Sequence, residues 1–304
     1  MLKWCMNYTV IKPHISEFPN PIELVKGENV SIGEDPDPTN NPETWVNWLY
    51  CVKEDSSNAG FVPKQIIQRE DKQGTVLEDY TAKELTVEKG ELIEYIKTLN
   101  GWLWGKRVKT GELGWIPLEN VQVFYCDVIT DMKEGSKKLH KEYHDNHYGF
   151  PIHNDNELFG RLILEINQAG LSWETVLRKQ HNFRKAFDNY DIKKIASYGE
   201  DDRARLLADA GIIRNRLKVD SVIHNANVVL GLQKEFGSFE KWLDAHHPRT
   251  KEEWVKLFKK TFRFTGGEIV NEFLVSTGYL HGAHKESCPI YEKTLKAKPK
   301  WRVK

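Results

Sequence analysis

The stretch LFGRLILEINQAGLSWETVLRKQ, residues Leu158–Gln180, decides the fold class of the C-terminal half. Apolar residues at 158, 159, 162, 163 and 166 have the spacing of one buried helix face, which predicts a helix over Glu157–Gln168 that Gly170 ends. Glu165 lies at the edge of that face, where a carboxylate needs hydrogen-bond donors. It could lie at the rim of the core, cap a neighbouring helix or point into a pocket. Trp173 follows the turn on the same side of the chain, as a core residue or as a platform for a ligand.

The helical pattern continues downstream with short connections and without alternating β-branched runs. The further predicted helical segments are Ile192–Ile195, Asp201–Ala210, Lys218–Leu232, Phe239–Asp244, Lys251–Lys260 and Gly267–Gly278. Residues 124–304 are therefore predicted to form a compact all-α domain.

A glycine hinge divides the segment LLADAGIIRNRLKVDSVIHNA (Leu206–Ala226) into two helical stretches. Backbone N–H groups in such a turn, together with a helix N-terminus, can form a phosphate site at Gly211. Arg214, Arg216 and Lys218 would strengthen it. An ordinary helical hairpin without a ligand has the same pattern, so both interpretations stay open at this point.

The segment HGAHKESC (His281–Cys288) places a histidine and a cysteine four residues apart, a spacing that allows His284 and Cys288 to share a metal ion. Cys126 and His144 could complete a Cys₂His₂ tetrahedron. The alternative is that these are unligated side chains of a protein in a reducing compartment, because four scattered cysteines do not form a disulfide framework.

Residues 1–125 have short strands separated by turn residues, and they contain a weak internal repeat. Each copy has an apolar-Lys-Gly-acidic turn, a Trp-bearing strand and a Gly-x-x-Pro segment. The first copy has IELVKGENVSI (Ile22–Ile32), WVNWLYCV (Trp45–Val52) and GFVPKQI (Gly60–Ile66), and the second has LTVEKGELIEYI (Leu85–Ile96), GWLWGKRV (Gly101–Val108) and GWIPLENV (Gly114–Val121). The repeat predicts two small all-β barrels, over residues 1–70 and 71–123.

Both copies resemble the SH3 domain, the second more closely, because it also has LEDY (Leu77–Tyr80) at its start. The first copy has instead a longer loop over Glu34–Thr44. The resemblance implies a groove for proline-rich peptides in which Tyr80, Trp102 and Pro117 take part. The family's other aromatic positions are occupied here by Glu78 and Asn120. The barrels could therefore bind a protein partner, or serve as spacers or docking surfaces with their aromatic residues in the core.

The net charge of zero hides an asymmetry between the two halves. Residues 1–125 contain 13 Lys and Arg against 19 Asp and Glu, and residues 126–304 contain 31 against 25. The basic half ends in a lysine-rich tail, so a polyanionic partner would belong to this half, although such tails also aid solubility. No apolar run approaches the roughly 20 residues that span a bilayer. A cytoplasmic protein with no membrane partner is expected.

Five blocks of the C-terminal half, taken together, resemble the 3-methyladenine DNA glycosylase I family of the helix-hairpin-helix superfamily. They occur in the family's order and are YHDNHYG (Tyr143–Gly149), Leu158–Gln180, DAGIIRNRLKVDSVIHNA (Asp209–Ala226), FRFTG (Phe262–Gly266) and the His-x-x-x-Cys of His284–Cys288. The resemblance implies an enzyme of base-excision repair that flips 3-methyladenine out of alkylated double-stranded DNA and hydrolyses its N-glycosidic bond. The alternative is a non-catalytic scaffold that docks on DNA while the barrels recruit a protein.

The resemblance also implies roles for particular residues. Glu165 would act on the base as the catalytic carboxylate, and Tyr143, Tyr148 and Trp173 would bind it. The DNA-binding residues would be Gly211, Ile212, Ile213, Arg214 and Lys218. A structural zinc ion without any organic cofactor would be held by Cys126, His144, His284 and Cys288. The chain departs from the family's Glu-Trp-Gly at His147-Tyr148-Gly149, and His140 occupies the place of an expected aromatic residue.

Overall fold

The computed structural model describes residues 7–33, 47–130 and 132–303. The predicted loop over Glu34–Thr44 lies outside these residues. Two compact units are present, one ending at Val123 and the other beginning at Phe124. The first unit is rich in β-strands, and every regular element described in the second unit is a helix. No helix in the described ranges combines the length and the apolar character needed to span a membrane.

The described residues of the N-terminal unit form twelve strands. They are β1 (Asn7–Val10), β2 (Glu23–Leu24), β3 (Asn29–Ile32), β4 (Trp48–Lys53), β5 (Ala59–Pro63), β6 (Ile67–Glu70), β7 (Gln73–Val76), β8 (Tyr80–Thr81), β9 (Leu92–Leu99), β10 (Trp102–Arg107), β11 (Leu113–Pro117) and β12 (Val121–Gln122). A first antiparallel sheet has the order β5-β4-β3-β7-β6, and a second has the order β11-β10-β9-β1-β12. Strands β2 and β8 form a separate ladder.

The internal repeat folds in the same way in both sheets. Gly27 and Gly90 have positive φ angles of 87° and 95°, which a residue with a Cβ atom rarely adopts, and this explains the glycine in each Lys-Gly-Glu turn. After the Trp-bearing hairpin, Pro63 and Pro117 each precede a three-residue 3-10 helix that leads into the last strand. The repeat is therefore structural, with equivalent turns at equivalent places.

The predicted division at residue 70/71 is wrong for two strands. The N–H of Gly27 donates to the carbonyl of Val76, and the N–H of Gly90 donates to that of Val10. Each turn thus takes its partner strand from outside its own repeat copy. Strand β7 joins the first sheet although it follows residue 70, and strand β1 joins the second sheet although it opens the chain. These pairings depend on hydrogen bonds between strands that are far apart in the sequence, so the local sequence pattern does not predict them.

Two aromatic residues expected in a peptide groove are packed inside the N-terminal unit. Tyr80 is 8% exposed and lies in the apolar core of the first sheet, where its hydroxyl donates to the carbonyl of Phe61 over 3.2 Å. Trp102, on a strand of the second sheet, is partly buried against that same core. These aromatic residues of the second repeat copy therefore pack against the core of the first sheet.

Among residues 124–130 and 132–303, twelve α-helices form the C-terminal unit. They are α1 (Tyr125–Thr130), α2 (Glu134–Asn146), α3 (Asp155–Gln168), α4 (Trp173–Arg178), α5 (Gln180–Ala186), α6 (Ile192–Ala196), α7 (Glu200–Ala208), α8 (Arg216–Phe236), α9 (Phe239–His246), α10 (Lys251–Thr261), α11 (Gly267–Ser276) and α12 (Tyr291–Lys296). The six further predicted segments all correspond to helices in this set. The apolar faces of these six helices and of α3 contribute to one core.

Helix α3 runs through the middle of that core. Asn154 caps its N-terminus by accepting hydrogen bonds from the N–H groups of Asn156 and Glu157. The helix is buried from Leu158 to Asn167, so both its apolar residues and its polar ones are withdrawn from water. It ends where predicted, before Gly170, whose φ of +79° turns the chain sharply toward Trp173.

The lysine-rich C-terminal segment is part of the fold. Lys293 donates to the carbonyl of Asp145 over 3.0 Å, and Lys300 donates to the carboxylate of Asp244 over 2.7 Å. The Trp301 ring packs edge-on against His281, with ring centroids 4.6 Å apart. Two of the lysines expected in a solvated basic tail therefore neutralise or cap groups of the helical unit itself.

Candidate active site and metal centre

Glu165 is a buried carboxylate without a partner. Its side chain is 3% exposed, and it has no hydrogen-bond donor among the residues that the structure describes. Burial raises the pKa of Glu165 to about 8, with a contribution from the negative charge of Glu272, while the positive charge of Arg161 lowers it. Burial without a donor costs free energy unless something else satisfies the carboxylate. The side chain is therefore suited to a ligand that brings a donor or a positive charge.

Four aromatic rings form a cluster beside α3. The Tyr143 ring lies 5.1 Å from the Trp173 ring and 5.7 Å from that of Tyr148, measured between centroids. The three predicted base-binding residues are thus brought together. Sequence reasoning missed the fourth ring, Tyr125, which lies 5.1 Å from Tyr148 and 6.0 Å from Tyr143.

Tyr125 belongs to this cluster because it is the first residue of α1. Its hydroxyl is hydrogen-bonded to Nδ1 of His140, the residue found where the family resemblance places an aromatic ring. Burial raises the pKa of Tyr125 well above its usual range, so the hydroxyl remains protonated. The signal that could have found it is its position next to Cys126, since a metal ligand brings its sequence neighbours to the site.

Two charged residues of the site were also missed. Arg161 stands one helical turn before Glu165 and donates from one guanidinium nitrogen to the Tyr143 hydroxyl over 2.9 Å. Glu272, on α11, accepts a hydrogen bond from the Tyr148 hydroxyl over 3.1 Å. Helical spacing could have indicated Arg161, because residues i and i+4 share a face. Glu272 lies more than 100 residues away, where no local pattern indicates it.

Cys126, His144, His284 and Cys288 converge on one point, and their facing ligand atoms all lie within 4.8 Å of one another. Nε2 of His144 is 3.3 Å from Sγ of Cys126 and 3.7 Å from Sγ of Cys288. Nδ1 of His284 is 3.6 Å and 3.8 Å from the same two sulfurs. A zinc ion with Zn–S near 2.3 Å and Zn–N near 2.0 Å has tetrahedral edges of about 3.3–3.8 Å. The four separations between a histidine nitrogen and a cysteine sulfur are therefore those of a Cys₂His₂ site.

In both histidines, the ring nitrogen that faces away from the cysteines (the outer nitrogen) already has a polar partner. Nε2 of His284 donates to the carbonyl of Tyr148 over 2.8 Å, since a carbonyl can only accept, and Nδ1 of His144 is 2.7 Å from the carboxylate of Asp145. In this tautomer the inner nitrogens, 3.0 Å apart, direct their lone pairs at each other. Burial lowers the pKa of His284 to about 4, so a proton does not relieve this repulsion at neutral pH. The arrangement fits a bound cation, with the outer partners orienting the ligands.

The helical hairpin differs in detail from the predicted phosphate site. The N–H of Gly211 donates to the side chain of Asp209 over 2.7 Å, and that of Ile212 points at the Asp209 carbonyl over 3.3 Å. The amides of Ile213 and Arg214 have no partner in the described part of the chain. Two of the three predicted donor amides, those of Gly211 and Ile212, are thus used inside the turn. The described amides without a partner are those of the next two residues, Ile213 and Arg214.

Lys218 is not placed to contact a phosphate. It is 5% exposed, and its ammonium donates to the carbonyls of Asn167 and Ala169 over 2.8 and 2.7 Å. These carbonyls lie at the C-terminal end of α3, where a cation is favoured by the helix dipole. Arg214 is exposed, by contrast. Lys218 therefore stabilises the end of α3 in place of the predicted contact with DNA. The sequence does not distinguish the two roles, because both need a lysine after the hairpin.

Comparisons with known proteins find relatives for both the helical unit and the β-rich unit. A family model described as methyladenine glycosylase matches residues 133–257, and one described as a variant SH3 domain matches residues 74–124. DNA-3-methyladenine glycosylase 1 of Escherichia coli K12 is 33% identical over 172 residues, which cover 50% of this chain and 91% of that protein. DNA-3-methyladenine glycosylase of Haemophilus influenzae is 32% identical over 174 residues, covering 51% and 94%. A crystal structure of 3-methyladenine DNA glycosylase I is 34% identical and covers 49% of this chain and 92% of its own, with a TM-score of 0.46.

Proposed function

Because this chain belongs to the DNA-3-methyladenine glycosylase family, we propose that its helical unit is a base-excision repair enzyme. The reaction is hydrolysis of the N-glycosidic bond of 3-methyladenine in alkylated double-stranded DNA. The damaged nucleotide must first leave the base stack, because its glycosidic bond is out of reach inside a duplex. The observation that carries this proposal is the buried, unpartnered carboxylate of Glu165 beside the rings of Tyr143 and Trp173.

The chemistry of the site suits a cationic base. The methylated adenine of the substrate carries a positive charge, which the faces of aromatic rings attract. The exocyclic amine of the base supplies the donor that Glu165 lacks. Glu165 has a pKa of about 8 in the free protein, and an arriving cation favours its ionised form. Recognition of the base and ionisation of Glu165 therefore support each other.

Bond cleavage needs modest help, because a cationic purine is already a good leaving group. The site has to hold the base, complement its charge and keep the flipped nucleotide in position. Water then attacks the developing oxocarbenium sugar, which the phosphates of the DNA help to stabilise. No carboxylate of the described residues is assigned as the catalytic aspartate that other members of the superfamily use.

Cys126, His144, His284 and Cys288 would hold a structural zinc ion as a clip between the two ends of the helical unit. Burial raises the pKa of the Cys126 thiol to about 12, so that thiol needs a bound cation to ionise. With four protein ligands the ion has no open position for water or substrate. Its contribution is to fix α1 and α2 against the His284–Cys288 segment, which positions Tyr125, Tyr143 and Tyr148.

DNA would bind at the hairpin before α8. The free amides of Ile213 and Arg214 and the exposed guanidinium of Arg214 are suited to phosphate oxygens. Contacts of this kind position the duplex without reading its sequence, which agrees with an enzyme that must search for damage anywhere.

The N-terminal unit would consist of two SH3-like barrels that pack on each other. The burial of Tyr80 and the packing of Trp102 favour this docking role over the binding of a proline-rich peptide. A protein partner, if one binds the barrels, would use a different surface. The unit would then serve as an accessory module of the glycosylase.

Release of bases from methylated duplex DNA, with the products separated by chromatography, tests the enzyme against the non-catalytic scaffold. We expect the full chain to release 3-methyladenine without any added cofactor. A scaffold would bind the DNA and release nothing. Absence of methylated bases from the supernatant at every salt concentration, with DNA binding retained, would therefore overturn the enzyme and support the scaffold.

A further inference from the structure

A second carboxylate, that of Glu272, contacts the cluster of four aromatic rings near Glu165. Its helix α11 packs against α3. The Tyr148 hydroxyl donates to Oε2 of Glu272 over 3.1 Å, and the Asn271 amide donates to Oε1 over 3.3 Å. Both oxygens are thereby held by neighbours, so the carboxylate has a defined orientation at the edge of the cluster.

The charges around Glu165 would not balance if both nearby carboxylates were ionised. In the part of the chain that the structure describes, the charges that shift the pKa of Glu165 are those of Glu272, which raises it, and Arg161, which lowers it. Burial raises the pKa of Glu165 and of Glu272, so the free protein disfavours ionisation of both. An arriving cation favours the ionised forms, and two carboxylates with one guanidinium then leave one negative charge. Glu272 also acts on the rings, since its charge is among the causes that raise the pKa of Tyr125 and of Tyr143. With both carboxylates ionised, the site is therefore short of one positive charge, which a cationic base would supply.

We propose that Glu272 is a specificity-determining residue, whose carboxylate makes this site prefer a cationic methylated purine over a neutral one. The proposal rests on the glycosylase function proposed above and names the feature of the base that the site selects. Glu165 meets the donor on the base, and Glu272 supplies the remaining counter-charge. Tyr148 links the two tasks, because its ring lies 5.7 Å from that of Tyr143 while its hydroxyl orients Glu272. A residue that merely filled space would need no charge here, and burying one costs free energy.

Two small bases separate charge from shape. The 3,9-dimethyladeninium ion is a fixed cation that mimics the base as it stands in DNA. Free 3-methyladenine has the same methyl group at N3 and is uncharged at about pH 8. Calorimetric titration of the full chain with each base gives a ratio of the two dissociation constants. We expect Glu272→Gln to weaken binding of the cation by about tenfold and to leave binding of the neutral base unchanged, since glutamine keeps the shape and an acceptor for Tyr148.

Glu268→Gln is the matched control. Glu268 lies one turn earlier on α11, its side chain is 85% exposed, and it pairs with Lys251 over 3.1 Å. Its charge raises the pKa of Glu272 from outside the site, so its substitution should weaken binding of neither base. Equal weakening of both bases in Glu272→Gln would show a structural role and overturn the proposal, and so would an unchanged ratio. The same variants are assayed for base release. If the wild type binds the cation selectively but releases no base from DNA, hydrolysis fails while the assignment of Glu272 stands. If the wild type releases 3-methyladenine but Glu272→Gln keeps the full cation preference, the assignment alone fails.

Discussion

At the scale of single residues, we expect Glu165 to govern both activity and the response to pH. We expect Glu165→Gln to slow release of 3-methyladenine by roughly 10–100-fold, because it removes a charge-assisted hydrogen bond to the base. Single-turnover release from alkylated duplex DNA measures this. Glu157→Gln is the control on the same helix, since its carboxylate is exposed and pairs with Arg184. A Glu165→Gln variant as fast as this control would contradict the role of Glu165.

Glu165 also destabilises the fold in alkaline solution. Its pKa is about 8 when folded, against an ordinary value near 4.5, so between these values the folded chain keeps a proton that the unfolded chain has lost. The free energy of unfolding therefore falls as pH rises from about 4.5 to about 8. We expect the melting temperature of Glu165→Gln to exceed that of the wild type by an amount that grows between about pH 6 and pH 8.5. A difference that stays constant over this window would show that Glu165 is not protonated in the free protein.

At the scale of elements, the proposed metal clip would hold α1, α2 and the His284–Cys288 segment together. Purified protein should contain one equivalent of zinc per chain, and Cys288→Ser should lose it. If the clip contributes about 3 kcal/mol, the melting temperature falls by roughly 6–12 °C. Cys51→Ala is the control, because that cysteine lies in the N-terminal unit. Metal analysis that finds far less than one equivalent in the wild type would remove the clip, and zinc retained in Cys126→Ala would mean that the fourth ligand is another group.

Two basic residues around the hairpin should behave in opposite ways. Lys218→Met keeps the apolar stem but loses the hydrogen bonds to the end of α3, so we expect a lower melting temperature and an unchanged salt dependence of DNA binding. Arg214→Ala should leave the melting temperature unchanged and reduce the slope of log affinity against log salt by about 1. Binding isotherms at several salt concentrations distinguish them. A lower slope in Lys218→Met would restore its predicted DNA contact.

At the scale of the whole molecule, the two units should separate in function. We expect a fragment of residues 124–304 to bind and excise like the full chain, since every residue assigned to the base pocket, the metal clip and the hairpin lies in it. It could bind more tightly at low salt, because residues 1–125 carry a net charge of −6 that repels phosphates. That advantage should shrink as salt rises, on a screening length of about 10 Å at 0.1 M. Binding of DNA by residues 1–125 alone, or loss of binding on their removal, would contradict this division.

The sequence by itself determined what depends on neighbours along the chain. Helix α3 follows from the spacing of its apolar residues and from Gly170, since a helix repeats every 3.6 residues wherever it stands. The turns at Gly27 and Gly90 follow from the need for positive φ. Motifs in which residue type and order are themselves the signal predicted the residues that the structure brings together. These are the four candidate metal ligands and Glu165, Tyr143, Tyr148 and Trp173.

Only the tertiary structure decided which distant segments meet. The strand partners of β1 and β7 depend on hydrogen bonds between backbones, which are chemically the same at every residue and leave no mark on the side chains. Glu272 and Tyr125 enter the site because α11 and α1 pack beside α3 and α2, and a single carboxylate or ring in a helical pattern gives no direction. Lys218 appears in the sequence as a cation after a turn. Whether such a cation meets a phosphate or the carbonyl end of another helix depends on which group lies within reach of its side chain, and that is a property of packing alone.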